Sequence, residues 1–151
     1  MKFYITGCSR GLGQHLYNAF NCIGFDRILR NDIEHDIDQI VEQIEADSVV
    51  ILNAHANGTQ IEYMQRLYGK VKLVVCGSIA ATNFDTEMPE YSKQKHDLEQ
   101  EFNKLATHSK MPMLYLKLTS SSYNNPVLIE NSIRFWLDNP ETTFIGYNIN
   151  E

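Results

Sequence analysis

Apolar residues run without interruption from Val49 to Leu52, and nearly so from Val71 to Cys76 and from Met113 to Leu118. Such runs mark strands covered on both faces of a parallel sheet. Between them the spacing changes to steps of three and four, as at Leu12, Leu16, Ala19, Phe20 and Ile23, at Ile37, Ile40, Val41 and Ile44, and at Ile129, Ile133 and Trp136. These stripes predict helices. Lys2 to Thr6 predicts a first strand stopping at Gly7, and the first helix is expected to end at Gly24 as its C-cap. Arg27 to Leu29 predicts a second strand, followed by the polar stretch Arg30 to Asp36. Ser48 to Leu52 predicts the third strand, Gln60 to Leu67 a short helix, and Val71 to Cys76 a strand running into Gly77 and Ser78. Pro89 opens a helix that puts Tyr91, Lys95, Leu98, Phe102 and Leu105 on one face. A strand over Met113 to Leu118, a helix over Ile129 to Leu137 and a strand over Thr143 to Ile149 complete the order.

Strands alternating with helices predict an α/β fold: a doubly wound parallel sheet between two helical layers. The chain is read as one compact α/β/α domain over residues 1–151, with no internal repeat or linker.

Composition excludes several classes of function. With 43% apolar and 21% charged residues, 8 Gly and 4 Pro, the chain is an ordinary globular protein. The net charge of -6 with scattered basic residues offers no stripe for a phosphate backbone, so nucleic acid is not expected as a partner. Cys8, Cys22 and Cys76 have neither zinc-ligand nor disulfide-framework spacing and are read as buried thiols, with no metal expected. No apolar run is long enough to span a bilayer, and Met1 to Gly7 enters a strand without a secretory signature. A cytoplasmic protein away from membranes is the expectation.

Between the first strand and first helix stands Thr6-Gly7-Cys8-Ser9-Arg10-Gly11-Leu12-Gly13. Glycines there permit positive φ and close approach to a phosphate, while the helix N-terminus supplies unpaired N–H groups. Taken by themselves, three glycines can equally serve only to cap and turn. The spacing Thr-Gly-x-x-x-Gly-x-Gly resembles the glycine signature of the short-chain dehydrogenases/reductases, and other residues agree with that family in order. Asn53-Ala54-His55 resembles its Asn-Ala-Gly turn, with His in place of Gly. A positive φ at His55 would be strained. Asp36-Ile37 resembles its acidic-aliphatic pair beside adenine, although Asp36 reads as well as a helix-start carboxylate. Tyr91-Ser92-Lys93-Gln94-Lys95 gives Tyr-x-x-x-Lys, preceded by Ser78 at a strand end.

The resemblance implies a Rossmann-like fold, a bound NAD(P)(H) and a small-molecule carbonyl or alcohol substrate. Tyr91 would be the acid/base, Ser78 would hold the substrate oxygen and Lys95 the nicotinamide ribose. Gly7, Ser9, Arg10, Gly11, Leu12, Gly13, Asp36, Ile37, Asn53 and Ala54 would contact the cofactor, together with Tyr91 and Lys95. Arg10 and Arg30 favour NADP(H), whereas an Asp after the second strand, as at Asn31-Asp32, would favour a free ribose hydroxyl. The chemistry explains the residue types: a phenol titrating near 10 needs a neighbouring cation to exchange protons at neutral pH, and Lys95 lies one helical turn from Tyr91.

The chain departs from the family in three places. The segment between Leu118 and Ile129 is too short for the usual substrate lid, and Thr119-Ser120-Ser121-Ser122 replaces the family's Pro-Gly. The family's fourth catalytic residue, a helical Asn, is absent from Thr59 to Lys70, and Asn53 and Asn57 are weak substitutes. These gaps leave a second possibility, a non-catalytic dinucleotide sensor or regulatory subunit. Abbreviated helices are also expected to leave apolar sheet surface exposed, which predicts a homo-oligomer, a dimer or tetramer.

Overall fold

The structure is a computed structural model and describes residues 1–26, 31–82 and 87–147. Six parallel strands form one sheet: β1 (Phe3–Thr6), β2 (Ile23–Phe25), β3 (Val49–Leu52), β4 (Lys72–Ser78), β5 (Met113–Leu118) and β6 (Phe144–Gly146). Their order is β2-β1-β3-β4-β5-β6. The chain leaves β1 in one direction to form β2 and returns on its other side as β3. That reversal opens a crevice beyond the strand ends, where ligands of open α/β sheets bind.

Period-two alternation along each strand divides the core into two layers. Val50 and Leu52 join Phe25, Leu73, Val75 and Tyr115 on the face covered by α2 (Ile37–Gln43), α3 (Gln60–Leu67) and α4 (Pro89–Ala106). Val49 and Ile51 join Ile5, Val74, Leu114 and Leu116 on the face covered by α1 (Gly11–Ala19) and α6 (Pro126–Asp138). The expected α/β/α architecture is therefore present. Both faces of the central strands are closed by this chain's own helices, whereas Phe144 on the edge strand β6 is 47% exposed. Among the described residues no helix is long and apolar enough to cross a membrane.

The first helix and second strand differ from the sequence expectation. Helix α1 stops at Ala19, and Asn21 takes a left-handed φ of 52°, a conformation Asn tolerates better than most residues. Ile23 and Gly24 then belong to β2 instead of the helix and its cap. Gly24 is needed there for room, because a Cβ would come within 2.4 Å of Cys8 Sγ. The expected strand at Arg27 to Leu29 lies outside the described residues.

Boundaries agree at α3 (Gln60–Leu67) and β5 (Met113–Leu118), whereas β6 is shorter than the expected Thr143 to Ile149, of which Asn148 and Ile149 lie outside the described residues. One α-helix among the described residues is additional, the single turn α5 (Ser120–Tyr123). Thr119 and Ser122 cap it reciprocally, each side chain accepting the other's backbone N–H.

Candidate active site

The strand ends at the β1/β3 reversal open into a cleft of about 1090 Å³. Its walls include Gly7, Ser9 and Arg10 of the glycine turn, Asn53 to Ala56 after β3, and Ser78, Tyr91 and Lys95. Asp26 and Asp32 to His35 line one end, and Leu118 to Ser120 with Tyr123 and Asn124 the other.

The glycine turn is built by close approach. Gly7, at φ 75°, donates its N–H to the Phe25 carbonyl at 2.9 Å, which ties the turn to the end of β2. Gly13 lies directly against that loop: a Cβ there would stand 1.8 Å from the Gly7 carbonyl oxygen. Asn53 holds the same oxygen from below, its Nδ2 donating at 2.9 Å, and the Ala54 N–H donates to Thr6 Oγ1 at 3.2 Å. At the start of α1, Arg10 supplies no side-chain cap and no acidic residue occupies the first turn. The helix N-terminus therefore offers its N–H groups to an anion. Leu12 turns into the core and is 1% exposed, and Gly11, Leu12 and Gly13, expected to contact the cofactor, are not among the cleft walls.

At the far end, Asp26 follows β2 directly and accepts a hydrogen bond from Ser9 Oγ at 2.9 Å. Nothing in the sequence singles it out, because Ile23 continues the helical spacing of α1 and hides the strand that precedes Asp26. Asp36 and Ile37, expected beside adenine, are not among the cleft walls. Asp36 accepts from the Asp32 N–H at 2.8 Å at the entry to α2, and Ile37 packs against the core. The short turn Asp32 to His35 forms the wall instead.

At the reacting end, Ser78 closes β4, and its Oγ accepts from the Ala80 N–H at 3.1 Å. Tyr91, in the first turn of α4, packs its ring on His55 with centroids 4.7 Å apart. The Lys95 ammonium lies 5.6 Å from the Tyr91 ring centroid. It donates to Gln60 Oε1 at 2.6 Å and to the Cys76 carbonyl at 3.4 Å. Burial draws the Lys95 ammonium down to about 8. His55 is also held below its usual range, by burial and then by the charge of Lys95, against the hydrogen bond it makes to Gln94. Its Nε2 meets Gln94 Oε1 at 2.8 Å, whereas its Nδ1 is buried without a partner among the described residues.

His55 does not carry the positive φ that its place in the Asn-Ala-Gly pattern suggested. Its φ is -67°, and the left-handed turn falls on Ala56, Asn57 and Gly58, at φ 41°, 55° and 80°. Gln60, which no sequence signal singled out, lies in contact with Lys95. Cys76 beneath the site has its thiol pushed up to about 12 by burial, which leaves it unreactive. No group of metal-ligating side chains occurs among the described residues.

These features fit a dinucleotide. The glycine turn packs its backbone where side chains would clash with Ala54, Asn53 and the Gly7 carbonyl, the first turn of α1 is uncapped, and a carboxylate stands at the end of β2.

No family model matches the chain, and no curated protein matches it. Solved structures do. A short-chain dehydrogenase/reductase from Vibrio parahaemolyticus superposes with a TM-score of 0.66 at 18% identity, over 85% of this chain and 91% of that one. A carbonyl reductase from Pseudomonas aeruginosa PAO1 gives 0.62 at 13% identity, over 99% and 97%. A UDP-glucuronic acid 4-epimerase from Bacillus cereus, solved in complex with NAD, gives 0.55 at 15% identity over 78% and 55%. At these identities the likeness is one of fold: this chain has the Rossmann-like α/β fold on which those proteins are built.

Proposed function

We propose that this chain is a nicotinamide-dependent oxidoreductase acting on a small carbonyl or alcohol substrate, in a cleft whose residues would hold NAD(H); that cofactor, when bound, would supply or take up the hydride. The observation that carries this reading is that Ser78, Tyr91 and Lys95 share one cleft with the glycine turn. Gly7, Ser9 and Arg10 would hold the pyrophosphate, with Asn53 and Ala54 as the floor beneath them.

Each reacting side chain has a role that follows from its bonds. Tyr91 supplies the proton that a nascent alkoxide needs, or takes one from an alcohol. The Lys95 ammonium favours the ionised phenol electrostatically. Two of its three N–H donors are used by Gln60 and Cys76, which leaves one for a ribose hydroxyl. Ser78 accepts from Ala80, and among the described residues its own O–H has no acceptor, so it can donate to the substrate oxygen. Tyr91→Phe is expected to lower kcat/KM by about 10²–10⁴-fold while cofactor affinity measured by calorimetry is kept. Full turnover by that variant would exclude the mechanism.

We read the cofactor as NAD(H) rather than the NADP(H) expected from Arg10 and Arg30; Arg10 lines the cleft and Arg30 lies outside the described residues. What supports this is that Asp26, Asp32 and Glu34 line the cleft; after β2, Asp26 would accept from a ribose 2′-hydroxyl, and the other two would add negative charge beside it. A 2′-phosphate there meets like charge. Purified protein should bind NADH more tightly than NADPH, and Asp26→Asn should narrow that ratio by about tenfold or more, the equivalent of ~1.4 kcal/mol.

The single turn of α5 leaves the substrate side open, and this favours a second reading as a dinucleotide sensor. Tight NADH binding with no turnover across a panel of aldehydes and ketones would support it.

A further inference from the structure

Gln60 is 2% exposed and opens α3, where its amide bridges three elements. Its Nε2 donates to the Leu52 carbonyl of β3 at 2.8 Å and to the Cys76 carbonyl of β4 at 3.0 Å. Its Oε1 accepts from Lys95 Nζ at 2.6 Å, and Lys95 is itself 3% exposed. Two carbonyls at one end and an ammonium at the other admit only one orientation of the amide. The oxygen faces the lysine.

We infer that Gln60 is a positioning residue of this site: it fixes the Lys95 ammonium beside Tyr91 through a neutral acceptor, so that the charge stays uncompensated. The groups facing Lys95 agree. Tyr91 stands on its own helix, His55 comes from the loop after β3, and Cys76 lies beneath on β4. Among the described residues Lys95 joins no ion pair, and Glu99, one turn further along α4, is held by Lys117 at 3.0 Å. A carboxylate against Lys95 would neutralise the field that Tyr91 needs, and would set its own lone pairs against two carbonyl oxygens. An apolar side chain would leave a buried ammonium short of an acceptor. Glutamine meets both demands, and the site thereby obtains a helical amide although the expected Asn is missing.

The consequence for catalysis rests on the oxidoreductase reading, whereas the contact itself can be tested without cofactor. In the unmodified protein, NMR of labelled lysine Cε should show Lys95 titrating near the burial-lowered value of about 8, and the Gln60 side-chain amide resonances should move through the same midpoint. Gln60→Glu should raise the Lys95 midpoint by about one to three pH units, as an adjacent opposite charge does, and Gln60→Met should lower it. The acid limb of alcohol oxidation, which reports ionisation of Tyr91, should move to higher pH in both variants. A role confined to stability would not move the lysine midpoint in opposite directions. Gln60 resonances that ignore the Lys95 titration, or midpoints unchanged in both variants, overturn the inference. Absence of NADH binding to unmodified protein would instead remove the oxidoreductase reading, and the lysine titration would still be read.

Discussion

A lysine ammonium enclosed between a glutamine oxygen and a main-chain carbonyl gives the folded chain a charge that its surroundings disfavour. The sign of the resulting pH effect follows from proton counting. Between about 8 and the ordinary lysine value of 10.5, the unfolded chain keeps the Lys95 proton and the folded chain releases it. Unfolding free energy therefore rises with pH across that window. Urea unfolding of wild type and Lys95→Met at pH 7 and at pH 10 checks this, since other titrating groups cancel in the difference. Wild type should gain stability relative to the variant as pH rises. Gly13 gives a second expectation of the same kind. Gly13→Ala puts a methyl group onto the Gly7 carbonyl, which should cost about 1–3 kcal/mol of stability and weaken NADH binding, both readable by thermal melting with and without cofactor. Ser78, Tyr91 and Lys95 could be found in the sequence because two share a helix face and the third ends a buried strand. Asp26 and Gln60 could not. Recognising the first depended on locating a three-residue strand, and the partners of the second are a distant lysine and strand carbonyls that no local spacing reveals.

Elements covered on both faces were the easiest to read, since β3, β4 and β5 bury nearly every residue. The edge strand β2 was misread because its Ile23 also continues the helical spacing of α1, and only the left-handed turn at Asn21 separates the two. Short elements depend on caps more than on periodicity, and α5 shows this. It has four residues, and its stability comes from the reciprocal Thr119–Ser122 bonds, a Ser/Thr pair at the spacing of a capping box. Thr119→Ala should cost about 0.5–2 kcal/mol in chemical denaturation. Because α5 borders the cleft, the same variant should raise KM for substrate more than it changes kcat. A variant that melts earlier with unaltered KM would place α5 outside the substrate's reach.

On the scale of the molecule, one sheet separates two apolar layers, and the two share every central strand. Disrupting either layer exposes the inner face of the other, so the domain should unfold in a single step. Trp136, the only tryptophan, is 0% exposed in the layer beneath α6 and reports on that layer alone. Its fluorescence and the far-ultraviolet circular dichroism of the whole chain should give coincident urea transitions. Separated midpoints would show that the α6 layer detaches first. The brevity of α5 has a practical consequence for anyone wishing to alter this protein. With one helical turn in place of a cover, bulk on a molecule far from its reacting carbon projects into solvent and goes unselected. On the oxidoreductase reading, narrower selectivity can be engineered by lengthening the segment between Thr119 and Pro126, a graft that leaves the sheet and the glycine turn intact.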